Sequence, residues 1–164
     1  MKRRNFILGL GAITVFPLAI ARTMEQRSVM KVKIEKIDRS EDEWSRILTT
    51  EQFRILREEG TEPPFTSPLN DEKRKGTYAC VGCELPLFTS DMKFDSGTGW
   101  PSFYTSIEGH LETKTDFKLI LPRTEYHCAR CGGHHGHIFK DGPKPTGERW
   151  CNNGVALKFI TEPT

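Results

Sequence analysis

Tyr78-Ala79-Cys80-Val81-Gly82-Cys83 and Tyr126-His127-Cys128-Ala129-Arg130-Cys131 share the pattern Y-x-C-x-x-C, and their reading decides the fold. Each stretch has a strand-like approach and a small residue or glycine near its turn. Two such hairpins can direct four thiolates at one point, and four sulfurs in a tetrahedron suit Zn²⁺. The 44 residues between Cys83 and Cys128 are more than a compact ribbon needs. The site therefore joins distant parts of a sheet and locks them. The rival reading is two disulfides in an exported protein. A bond within C-x-x-C closes a small strained loop, more typical of a redox centre than of a staple. A redox pair is also expected once, opening a helix, whereas these pairs sit on strands. We read Cys80, Cys83, Cys128 and Cys131 as ligands of one structural zinc ion.

From Gly76 onward the pattern is short strands and turns. The candidate strands are Thr77–Cys80, Pro86–Phe88, Lys118–Leu121, Glu125–Cys128, His137–Lys140, Arg149–Asn152 and Val155–Ile160. Asn153-Gly154 between the last two has the composition of a two-residue hairpin turn. Upstream, Ser40 with Glu43 and Thr49 with Gln52 are capping boxes that predict helices over Glu41–Leu48 and Thr50–Glu59. Thr61–Pro68 (T-E-P-P-F-T-S-P) cannot be helical and is expected to lie as an extended strap. The fold class is mainly β, with short helices on the N-terminal side and a domain over residues 40–164 behind a lead-in at 22–39. The composition agrees: fourteen Gly, ten Pro and 36% hydrophobic residues suit many turns around a modest core.

Residues 1–21 differ in kind. Lys2, Arg3 and Arg4 precede the apolar run Phe6–Ile20, and Ala19-Ile20-Ala21 has the A-x-A form of a cleavage site. That is the layout of a cleavable signal peptide. The apolar run is short for a permanent membrane anchor and Pro17 interrupts it. Arg3-Arg4-Asn5-Phe6-Ile7-Leu8 also resembles the twin-arginine export motif, although general secretory signals carry paired basic residues too. The expected location is a bacterial periplasm. Removing three positive charges and no acidic ones takes the formal net charge from +2 to −1. A domain so close to neutrality has no electrostatic footprint for nucleic acid.

With four cysteines assigned, Cys151 is the remaining thiol of five. A lone cysteine is more often an inert buried group than a nucleophile. His134-His135-Gly136-His137 follows the second knuckle, and three histidines within four residues tilt the balance toward function. Four thiolates already close a zinc site, so these imidazoles are surplus as ligands. No carboxylate spacing supports a second metal. Strict alternation would put His134 and His137 on opposite faces, but Gly136 permits a bulge that brings them together.

The chain resembles the type-B methionine sulfoxide reductases, which reduce the R epimer of methionine sulfoxide. The matching stretches are G-T-E-P-P-F (60–65), the first knuckle, K-F-D-S-G-T-G-W-P-S-F (93–103) and R-T-E (123–125). They continue with C-A-R-C-G-G-H-H-G-H-I-F (128–139), D-G-P (141–143), P-T-G-E-R-W-C-N-N (145–153) and L-K-F (157–159). The resemblance implies a fold of two antiparallel β-sheets and the four zinc ligands already named. It implies that Cys151 is the nucleophile, with His134, His137 and Asn153 as catalytic partners and Trp100 as the substrate-binding wall. A thiolate attacks the electrophilic sulfoxide sulfur, the departing oxygen needs donors and protons, and an indole plane suits the methyl group. Cys151 would emerge as a sulfenic acid.

Three positions depart from the family pattern. Thr98 stands where many members carry a resolving cysteine, so an external thiol reductant such as a thioredoxin-like protein is expected to regenerate Cys151. His135 replaces the usual Leu, and Trp150 the usual Tyr. The substrate class would be oxidised proteins or peptides. Two other readings are a non-catalytic zinc-ribbon-like binding module and a disulfide oxidoreductase working through the C-x-x-C pairs.

Overall fold

The computed structural model describes residues 34–118 and 121–163, so the leader reading of residues 1–21 and most of the lead-in lie outside the described residues. Helix α1 spans Glu41–Ile47 and α2 spans Thr50–Leu56. Both capping boxes form as the sequence dictates: Ser40 accepts from the Glu43 backbone and Thr49 from that of Gln52, with each acidic or amide side chain reaching back. The helices end sooner than predicted because Leu48 turns extended to enter the Thr49 cap and Glu59, past the Arg57 cap, takes a left-handed φ of 54°. Trp44, Ile55 and Leu56 bury the inward faces of the pair. Among the described residues no helix is long and apolar enough to cross a membrane.

Among the described residues nine short strands follow: β1 (Gly76–Cys80), β2 (Pro86–Thr89), β3 (Lys93–Phe94), β4 (Ser102–Phe103), β5 (Leu111–Asp116), β6 (Arg123–Cys128), β7 (His134–Phe139), β8 (Arg149–Asn152) and β9 (Leu157–Thr161). They make two antiparallel sheets, one ordered β2-β1-β9 and one ordered β3-β4-β8-β7-β6-β5. The aromatic residues bridge the sheets. Phe88 stacks on Phe103 at 4.0 Å between centroids, and Tyr78 meets Phe103 edge-on at 5.0 Å. Such pairs add about 0.5–1.5 kcal/mol beyond their burial.

Two sequence expectations are corrected. In the apolar stretch Lys118–Leu121 the two described residues, Lys118 and Leu121, are bends and not strand, and residues 119 and 120 lie outside the described residues. The strand before β6 is instead the polar β5, which pairs on one side only and so carries no buried alternation. Nor is Asn153-Gly154 a hairpin turn. Strand β8 lies in the six-stranded sheet and β9 in the three-stranded one, joined by a 3-10 turn at Gly154–Ala156.

Candidate active site and metal centre

The two knuckles are copies of one backbone turn. In each, the first cysteine's N–H donates to the carbonyl five residues on, at 2.9 Å for both Cys80 to Leu85 and Cys128 to Gly133. In each, the residue after the second cysteine donates back to the first cysteine's carbonyl, Glu84 at 2.8 Å and Gly132 at 2.9 Å. Those two residues share a left-handed backbone, with φ of 58° and 69°. Arg130 donates to the Cys83 carbonyl at 3.2 Å and ties the knuckles together.

The Sγ atoms of Cys80 and Cys131 lie 3.6 Å apart and those of Cys83 and Cys128 3.4 Å apart, with all four ligand atoms within 4.8 Å of one another. A disulfide needs about 2.05 Å. A tetrahedral ion with Zn–S bonds of about 2.3 Å separates its sulfurs by roughly 3.8 Å. The residues fit one zinc ion, held by a thiolate pair from each sheet, and its contribution is structural.

Cys151 stands on β8 between two neighbours, facing Ser102 of β4 and His137 of β7 in register. It shares one cavity with Trp100, His137, Asn153, Arg123, Phe139 and Thr61. Burial pushes its thiol above the ordinary cysteine value, opposed by the Arg149 guanidinium and the Thr98 hydroxyl. Arg149 is itself buried, held by both oxygens of Asp141 at 2.9 Å each and lying 4.3 Å over the Phe139 ring. Thr98 is positioned by Ser96, which bonds both its hydroxyl and that of Ser102 at 2.8 Å.

Residues 48–161 match the SelR domain. The chain belongs to that family. It is 50% identical over 127 residues to the peptide methionine sulfoxide reductase MsrB of Methanosarcina barkeri, covering 77% of this chain and 89% of that relative. It is 52% identical over 127 residues to the MsrB of Pseudomonas putida, covering 77% and 96%. Peptide methionine sulfoxide reductase B1 of Arabidopsis thaliana, a chloroplastic protein, is 52% identical over 121 residues, covering 73% and 60%.

The family's motifs meet at the cavity unequally. The β6–β7 register shifts at Tyr126/His127, and this bulge sets the His134 and His137 rings 5.5 Å apart although two residues lie between them. Only His137 reaches the cavity wall. His134 is buried behind it, with Nδ1 against the Glu125 carboxylate, and burial lowers its imidazole to about 3. His135 is fully buried, stacked on Tyr126 at 6.5 Å. Trp100 donates from its indole N–H to the Glu62 carbonyl at 3.1 Å. The Asn153 amide accepts from the Glu62 N–H at 3.0 Å and donates to the His135 carbonyl at 3.0 Å. One Nδ2 hydrogen is then all it can offer a substrate.

The sequence reading did not single out Glu62, Asp116, Arg123 or Asp141. Three of them lie inside motifs already quoted and were polar residues without an assigned task. Asp116 lies outside every motif. It accepts from His137 Nε2 at 2.9 Å, from Arg123 at 2.6 Å and from the Lys118 N–H at 2.8 Å.

Proposed function

We propose that this chain, an oxidoreductase of the methionine sulfoxide reductase B family, reduces methionine R-sulfoxide in oxidised proteins through Cys151. The observation that carries the reading is one cavity holding a free thiol, an indole plane and an imidazole. The indole packs the substrate methyl group while Cys151 attacks the sulfoxide sulfur. The S–O bond of the sulfoxide breaks, an S–O bond to Cys151 forms, and the thiol proton ends on the transferred oxygen. Methionine sulfur gains two electrons and Cys151 loses two, becoming a sulfenic acid. The elevated thiol value suits this, since the resting group carries the proton that the oxygen needs.

Recovery requires thiol from outside the chain. Thr98 cannot form a disulfide, and the other four cysteines are committed to the metal centre. A first external thiol condenses with the sulfenic acid and releases water, and a second cleaves the mixed disulfide to return Cys151. The signal-like composition of residues 1–21 supports a periplasmic setting for this repair. Peptides carrying separate R and S sulfoxides, assayed on the wild type and on Cys151→Ser, test the reading. Reduction of the R epimer alone, lost in the variant, is expected. Equal turnover of both epimers, or an active variant, would overturn it.

A further inference from the structure

We propose that Asp116 is the positioning residue of the active site: it fixes which nitrogen of His137 faces the substrate and completes a thiol–imidazole–carboxylate line with Cys151. This rests on the reductase reading above.

Asp116 is the one buried residue of β5, at the end of an otherwise polar edge strand. A buried carboxylate is costly unless paired. Here it is fully paired. Oδ1 accepts from the Lys118 N–H at 2.8 Å, and Oδ2 accepts from Arg123 at 2.6 Å and from His137 at 2.9 Å across the intervening strand β6. The Lys118 N–H, then His137 and Arg123, hold its acid well below the usual carboxylate range.

An ionised acceptor leaves one assignment for the shared hydrogen, which belongs to His137 Nε2. Nδ1 is then a bare lone pair, the one ring nitrogen left for chemistry. Burial lowers the His137 imidazole, so the ring rests neutral, while Asp116 acts in the opposite direction and stabilises the imidazolium once it forms. Nδ1 takes the Cys151 thiol proton as sulfur attacks, then delivers it to the sulfoxide oxygen. The oxygen ends on Cys151 as S–OH, methionine leaves as the sulfide, and no proton is gained or lost overall.

The other charged groups near His137 do not substitute for Asp116. Glu125 of β6, its register partner, is taken by His127 and His134. Arg123 and Lys118 oppose protonation of the ring, and His134, held neutral by burial, lies behind it. Cys151 of β8 is the proton source. Among the described residues three imidazoles thus meet a carboxylate, and of the three only His137, paired with Asp116, lines the cavity.

The test combines imidazole ¹⁵N shifts of the reduced zinc-loaded wild type with kinetics of Asp116→Asn and Asp116→Glu. The wild type is expected to show His137 protonated at Nε2. Asp116→Asn, whose amide can present N–H to the ring and reverse the tautomer, should lower kcat on the order of 10²–10³-fold with KM within about threefold. Its pH–rate limb should shift, while zinc content and Cys151 alkylation stay at wild-type levels. Asp116→Glu should recover part of kcat. An Nδ1–H tautomer in the wild type would overturn the proposal, even if Asp116→Asn fails to fold. A kcat within threefold of wild type would too, as would a loss of kcat, zinc and alkylation in equal measure. A wild type that reduces neither epimer would sink the reductase reading, with the tautomer still reporting on the Asp116–His137 pair.

Discussion

Gly136 shows how little room surrounds the thiol strand. A Cβ built there would sit 1.9 Å from the Cys151 carbonyl oxygen and 3.0 Å from its carbon. Backbone cannot swing aside as a long side chain can, so Gly136→Ala must push β7 away from β8. We expect a loss of about 2–4 kcal/mol by urea unfolding, with reductase activity falling further than stability. An equally stable variant would mean that the two strands yield. Arg149 acts on the thiol electrostatically. Its guanidinium opposes the burial that raises Cys151, and Thr98 adds a hydrogen bond in the same direction. Removing the cation in Arg149→Met should move the midpoint of Cys151 alkylation, read as iodoacetamide rate against pH, upward. Each unit of movement means about tenfold less thiolate at a fixed lower pH. An unmoved midpoint would reduce Arg149 to a brace between Asp141 and Phe139.

At the scale of elements, the Thr61–Pro68 strap does more than cover the domain. Its Glu62 is buried, and one carboxylate oxygen accepts from the Gly154 N–H at 2.6 Å while the other accepts from Val155 at 3.0 Å. The backbone of the same residue bonds Trp100 and Asn153. Glu62→Gln turns an NH₂ toward one of those amides, donor against donor. A loss of about 1–3 kcal/mol should follow, with KM for a sulfoxide peptide raised several-fold as the indole and Asn153 loosen. Lost stability with unchanged KM would show that the strap braces the fold without placing the site. The knuckles and both helix starts were legible in the sequence because their rules span a few residues: cysteine spacing, and Ser40 with Glu43. Strand β5 was not, since an edge strand need not alternate, and β3 and β4 have two residues each. Asn153-Gly154 misled because a turn dipeptide does not say which sheet receives the next strand. Asp116 and Glu62 gave no local signal of their place at the site, for His137 and Gly154, which tie them to it, lie 21 and 92 residues away.

Across the whole molecule, stability rests on a metal staple and on imidazoles that must stay neutral. Cys80 ends a strand of the small sheet and Cys128 one of the large sheet, so zinc joins the two. Chelation should lower the melting temperature and expose four further thiols to a disulfide reagent, and a chelated protein melting unchanged would deny the staple its role. Acid attacks the fold in a second way. Burial lowers His135 to about 4 and His134 to about 3 from an ordinary 6.5. The unfolded chain therefore binds these protons first. The stability they contribute is complete above pH 6.5 and is lost as pH falls toward 4, by roughly 3 kcal/mol for His135. That is a large share of a typical total of about 5–15 kcal/mol. Acid also strips thiolate ligands from zinc, so the wild type alone cannot separate the two causes. His135→Leu can. The ring lies against Tyr126 with neither nitrogen well bonded, and an apolar side chain there removes both its polar burial and its proton. Urea unfolding at pH 7.5, 5.5 and 4.5, at equal zinc saturation, should show the variant as stable as wild type or more so at pH 7.5, with its advantage widening as pH falls. A constant difference across the three values would assign the acid sensitivity to the metal centre instead.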